Sequence, residues 1–80
     1  MMNRLIKRLE YWNNILRPIN FPYIDVLHVS QDEYWKFVRV GTINGELLLS
    51  GSPDQVIDKL DNFAITMLAD MAWKYYETTI

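Results

Sequence analysis

His28 and a few carboxylates are the side chains best suited to acid–base or metal chemistry. General acid–base catalysis needs a titratable group within hydrogen-bond reach of a group that orients it. His28 follows Asp25 by three residues. On a regular strand that spacing sends the two side chains to opposite faces, so they form no local dyad. Asp32 and Glu33 are adjacent and splayed, as in a solvated turn. Asp54, Asp58 and Asp61 fall at i, i+4 and i+7 and share one face at the start of a helix. A helix N-terminus favours negative charge, so the trio reads as a solvated face. The other reading is a docking strip for a basic partner. The chain has no cysteine, which excludes disulfides and thiolate metal sites. No calcium-loop spacing is present. Gly41, Gly45 and Gly51 suit hairpin and strand-end geometry, not a phosphate-cradling loop. The expectation is no catalytic residue, no metal, no cofactor and no enzyme. Function is then binding.

The elements that would position a binding surface follow from spacing. Leu5, Leu9, Trp12 and Leu16 recur at steps of four, three and four, one face of a helix over 3–16. Asn3 suits the cap position. Pro18 ends that helix, because a residue before proline is pushed out of the α region. The segment from Pro18 to Pro22 reads as an extended connector, with Ile19 and Phe21 as anchors. Residues 23–29 and 34–43 are rich in β-branched and aromatic types and read as strands. Asn44-Gly45 then signals a tight hairpin with a type I′ turn, leading into a third strand over 46–50. Ser52, Pro53, Asp54 and Gln55 make a complete helix start, with a cap, a proline at the first position and a capping box. Helical spacing continues through Val56, Leu60, Phe63, Met67 and Met71 to Tyr75, about 25 residues or roughly 37 Å. The fold class is α+β: α-β-β-β-α, a three-stranded antiparallel sheet with two helices on one face, in one domain.

A two-residue loop at Asn44-Gly45 fixes the pairing. Thr42 faces Leu47, Gly41 faces Leu48, Val40 faces Leu49 and Arg39 faces Ser50. Val38, Val40, Leu47 and Leu49 then share the face that the helices cover. The opposite face carries Trp35, Phe37, Arg39, Leu48 and Ser50. A solvated sheet face should be polar, and this one holds two large aromatics, a leucine and an arginine. Trp, Phe and Arg are enriched at binding interfaces. Either the 18–22 connector folds over this face, or the face docks a partner. In the second helix, Ile65, Ala69, Trp73 and Tyr76 form a stripe away from the sheet side. A helix apolar on two sides is buried on two sides, here by the first helix or by a second copy.

Composition sets the remaining bounds. Half of the 80 residues are apolar and 14% are aromatic, which excludes disorder. The longest apolar run is three residues, Leu47 to Leu49, far below the roughly 18 that a bilayer span requires. Polar residues interrupt the segment after Arg4, Lys7 and Arg8, so a secretory signal is not expected. The expected location is the cytoplasm. A chain this small has a thin stability margin, and without disulfides a self-partner is a natural source of support. Net charge is −2 but uneven: residues 1–17 carry +3 and residues 54–80 carry −3. The two ends read as neighbouring helices that attract each other. A nucleic-acid patch at Arg4, Lys7 and Arg8 is the alternative, but a few cations make a small footprint.

From about Trp12 to Tyr76 the order of elements resembles the double-stranded-RNA-binding domain. The features that carry the likeness are the strand from Tyr23 to Val29, the strand Phe37-Val38-Arg39-Val40, the Asn44-Gly45 hairpin, Gly51-Ser52, and the Ala- and Met-rich helix from Ala64 to Ala72. That family grips phosphates with a lysine cluster at the start of its second helix. Here that place reads Pro53-Asp54-Gln55-Val56-Ile57-Asp58-Lys59, acidic where the family is basic. The resemblance therefore implies a degenerate member that binds proteins or dimerises. In size and acidity the chain is also similar to phage-encoded inhibitors of host defence. The expected partner is a protein of unspecified identity or a second copy, docking on Trp35, Phe37, Arg39 and Leu48 or on Trp73 and Tyr76. Nucleic acid is the alternative.

Overall fold

The computed structural model describes residues 2–79, with side chains from Met2 to Lys74. Helix α1 spans Met2–Leu16. Its expected stripe is the buried one: Leu5, Leu9, Trp12 and Leu16 all lie in the core. The helix already includes Met2, which packs against the core, so Asn3 lies in the first turn and is not the cap. Pro18 ends the helix as expected. The connector is not extended, however: Arg17–Ile19 form a turn of 3-10 helix, closed by Asn20 in the left-handed region at φ 62°.

Three antiparallel strands follow, β1 Ile24–Gln31, β2 Lys36–Thr42 and β3 Leu48–Gly51, in the spatial order β1-β2-β3. The expected register between β2 and β3 holds. Gly41 pairs with Leu48, Val40 with Leu49 and Arg39 with Ser50. The turn that sets it is different. The Gly45 N–H donates to the Thr42 carbonyl at 3.1 Å, the Thr42 N–H donates to the Leu47 carbonyl at 3.0 Å, and the Leu47 N–H donates to the Thr42 hydroxyl at 3.1 Å. Only Gly45, at φ 79°, has the left-handed conformation, whereas a type I′ turn needs it at Asn44 as well. The loop is thus four residues, 43–46. It has the same midpoint as the expected two-residue loop, which is why the pairing survives.

The β1–β2 register shifts between Val26 and His28. Ile24 faces Thr42 and Val26 faces Val40, yet His28 faces Arg39 and Val29 faces Val38. Leu27 is the extra residue of a β-bulge. The bulge also corrects the placement of His28. Asp25 and His28 sit opposite Gly41 and Arg39, two residues apart on β2, so they share a face and do not oppose each other.

Helix α2 spans Pro53–Thr79. Its capping box is complete: Gln55 N–H donates to Ser52 Oγ at 3.3 Å, and Ser52 N–H donates to Gln55 Oε1 at 3.0 Å. Val56, Ile57, Leu60 and Ala64 bury against the sheet and α1. The core joins them to the α1 stripe, Ile24, Val38, Val40 and Leu47. Both helices therefore lie on the Val38/Val40 side of the sheet.

Polar contacts join the helices as the charge split implied. Arg4 pairs with Asp54 and Arg8 with Asp61, each at 3.3 Å, and the Trp12 indole N–H donates to Asp61 Oδ1 at 2.7 Å. Asn13 is buried and bonds to both backbone groups of Ile24: its Nδ2 donates to the carbonyl at 2.8 Å, and its Oδ1 accepts the N–H at 2.9 Å. The carboxamide thereby mimics one residue of a neighbouring strand and closes the start of the β1 edge.

Candidate binding surface

The uncovered face of the sheet is set by alternation along β2. With Val38, Val40 and Thr42 turned to the core, Phe37, Arg39 and Gly41 face outward. Cross-strand pairing adds Asp25 beside Gly41, His28 beside Arg39 and Ser30 beside Phe37 on β1, with Leu48 and Ser50 on β3. All the sheet-face residues expected from the sequence are brought together here. Trp35 is 53% exposed and Leu48 60% exposed, Arg39 is exposed, and Phe37 is half-buried.

The connector does not cover this face. Phe21 turns the other way and packs on α2, its ring 5.7 Å from that of Phe63. Ile19 is exposed. Of the two readings open at the sequence level, the sheet face is the uncovered one.

Trp35 is held where it is. It stacks edge-on against Phe37 at 5.7 Å and 82°, a favoured aromatic geometry. Its backbone is fixed by Asp32. The carboxylate accepts the N–H of Tyr34 at 2.8 Å and of Trp35 at 2.9 Å, and the Asp32 N–H donates to the Trp35 carbonyl at 3.1 Å. The two backbone N–H groups lower the pKa of the Asp32 carboxyl. This aspartate is the clasp of the β1–β2 turn, more than the solvated turn residue its neighbours implied.

Gly41 lies beside a hollow at the other end of the face. A Cβ there would collide with the Leu47 carbonyl oxygen, so only glycine lets β3 approach. Tyr23, Asp25, Leu27, Gly41 and Ile43 line a depression of about 220 Å³. Tyr23, Leu27 and Ile43 thus join the surface, although sequence reading did not place them there. Tyr23, Asp25 and Leu27 do alternate, which is a legible signal. The bulge that sets Leu27 and His28 side by side is not.

The remaining expected residues lie elsewhere. Trp73 is 61% exposed on α2, the helix that packs on the other side of the sheet, and the Tyr76 side chain lies outside the described residues. Ile65 and Met71 are also exposed on α2. Phe63, Met67, Asn62, Thr66 and Asp70 line a shallow groove of about 480 Å³. Arg4 and Arg8 are engaged by Asp54 and Asp61, and Lys7 is exposed. His28 is solvent-exposed, and no hydrogen bond or ion pair joins it to Asp25. Among the described residues, no three His, Asp or Glu side chains are grouped closely enough to hold a metal, and no helix is long and apolar enough to cross a membrane.

Comparisons with known protein families, with curated proteins and with solved structures find no match to this chain.

Proposed function

We propose that this chain is a non-catalytic protein-binding domain that docks through the outer face of its sheet. One observation carries the reading: Trp35, Phe37, Leu48, Leu27 and Tyr23 share with Arg39 a face that no described element of the chain covers. Exposed aromatic and aliphatic groups around an arginine have the composition of an interface centre, with a polar margin at Asp25, Ser30 and Ser50. Water exposure of that much apolar surface is unfavourable by roughly 25 cal/mol per Å², so covering it favours association. The rigid sheet and the Asp32 clasp hold the surface ready, which reduces the ordering cost of binding. A small domain that binds without chemistry suits an adaptor or an inhibitor, the phage-encoded anti-defence type among them. Arg4 and Arg8 already neutralise carboxylates of α2, so they add little to a nucleic-acid reading.

Trp35→Ala tests the reading. A docking residue leaves the fold intact: far-UV circular dichroism stays unchanged, and stability shifts by less than about 1 kcal/mol. Leu60→Ala, in the core, is the control and costs about 2–5 kcal/mol. In affinity capture from native lysate, bands retained by the wild type should disappear with Trp35→Ala. Collapse of the Trp35→Ala fold would make this face part of the core and end the proposal.

A further inference from the structure

Arg39 stands at the centre of the outer face, and its side chain makes no hydrogen bond or ion pair with any described residue. A cation left in the middle of an apolar interface must meet an anion when the interface closes, because an unpaired buried charge is strongly unfavourable. The same face carries one outward carboxylate on its strands, Asp25, in the row next to Arg39. Its Oδ1 accepts the Val26 N–H at 2.8 Å, and no ion pair joins Asp25 to Arg39 within the chain.

We propose that the outer face docks onto the same face of a second copy, with Asp25 of each chain against Arg39 of the other. This rests on the reading of the face as a docking surface and names its occupant. A two-fold axis in the interface, crossing the strands between the two rows, lays β1 over β1 and places each Asp25 over the opposing row that holds His28 and Arg39, one strand from Arg39 and within reach of its long side chain. The same rotation lays the Tyr23–Ile43 end of one sheet over the Phe37–Trp35 end of the other, apolar on apolar. Two sheets packed this way interdigitate at about 10 Å. The edges are poorer candidates. Asn13 occupies the start of β1, the bulge interrupts it, and β3 has only four residues.

Area agrees with a dimer of modest strength. Strands of eight, seven and four residues, about 26, 23 and 13 Å long and 4.8 Å apart, cover about 300 Å² in projection, and with projecting side chains this gives roughly 500 Å² of accessible surface per copy. Specific interfaces bury about 800 Å² per partner, with weaker complexes below that. Association is therefore expected to be concentration-dependent.

Charge reversal tests the pairing. Sedimentation and light scattering of the wild type, from micromolar to near-millimolar, should show the mass rising from 9.5 kDa toward twice that value. Arg39→Asp and Asp25→Arg should each weaken self-association at least tenfold, since each places like charges together twice in the symmetric pair. An equimolar mixture of the two variants should regain association, because one chain then offers two carboxylates and the other two guanidinium groups. Circular dichroism checks each fold. If Arg39→Asp does not fold, Arg39→Gln takes its place, with weakened association expected. A wild type that stays monomeric throughout, a dimer indifferent to both reversals, or a mixture that stays monomeric overturns the inference. The docking reading is judged separately, by whether Trp35→Ala keeps its fold. A monomeric wild type with an intact Trp35→Ala fold removes the second copy as occupant and leaves that reading standing.

Discussion

Single side chains organise the face more than their types announce. Asp32 is fully open to solvent, yet its carboxylate bonds to two backbone N–H groups in the turn that carries Trp35. Those bonds favour the ionised form, so the folded-state pKa lies below the unfolded value. The stability they supply is present above the unfolded carboxyl pKa, and it is lost as pH falls through the lower folded one. Asp32→Ala should therefore lower the thermal midpoint at neutral pH, and the gap from wild type should close on acidification. Asp32→Asn keeps an acceptor oxygen and should fall between the two. Midpoints measured from pH 7 to strongly acidic conditions check this. A gap that stays constant down to the lowest pH would show that the charged carboxylate is not what closes the turn. Asn13 acts similarly from within. Its one carboxamide satisfies both backbone groups of Ile24, where a buried unpaired polar group would cost about 1–3 kcal/mol.

At the scale of elements, the hairpin separates what the sequence encodes openly from what it does not. Asn44-Gly45 marks the reversal, and alternation of Val38, Val40, Leu47 and Leu49 sets which face is buried. Both are local patterns, and both hold. The turn type is not legible, because a two-residue and a four-residue loop with one midpoint give the same pairing. The difference has a measurable consequence. Gly45 needs positive φ, so Gly45→Ala should cost about 1 kcal/mol or more. Asn44 has no such need, and its side chain only accepts an exposed N–H from Glu46 at 3.2 Å. Asn44→Ala should thus cost only a few tenths of a kcal/mol, as exposed substitutions do. Denaturant midpoints of the pair decide it: equal large losses would restore the type I′ turn. The bulge at Leu27 is silent for another reason. It is one inserted residue in an otherwise ordinary strand, and only the partner strand reveals it. That silence explains why Asp25 and His28 read from the sequence as lying on opposite faces and why Leu27 does not read as part of the surface, while Phe37, Arg39 and Leu48 are legible from β2 and β3, and Trp35 from continuing the β2 alternation into the turn before it.

Across the whole molecule, helix length and sheet length disagree. Helix α2 has 27 residues, about 40 Å, while the strands of four to eight residues reach at most about 26 Å. The molecule measures 56 × 20 × 19 Å with a radius of gyration of 14.3 Å, against about 12 Å for a compact domain of this length. Among the described residues, packing against the core ends with Met67 and Leu68, and α1 stops at Leu16. The first half of α2 is therefore held by the sheet and α1, whereas none of the described side chains from Ala69 to Lys74 packs against that core. Isolated helical stretches shorter than about 12–15 residues are marginal in water. Amide hydrogen exchange should show this as a step along one continuous helix. Protection at Val56, Leu60 and Ala64 should approach that of global unfolding, and from Ala69 onward it should fall by orders of magnitude. The sheet-face dimer leaves this prediction unchanged, because its interface lies on the side of the sheet away from both helices. Uniform protection through Trp73 at concentrations where the chain is monomeric would mean that the far half of α2 is stabilised beyond its own ladder. Protection that appears there only as concentration rises would instead move the self-contact from the sheet to the helix, and the Arg39 and Asp25 variants would then leave it untouched.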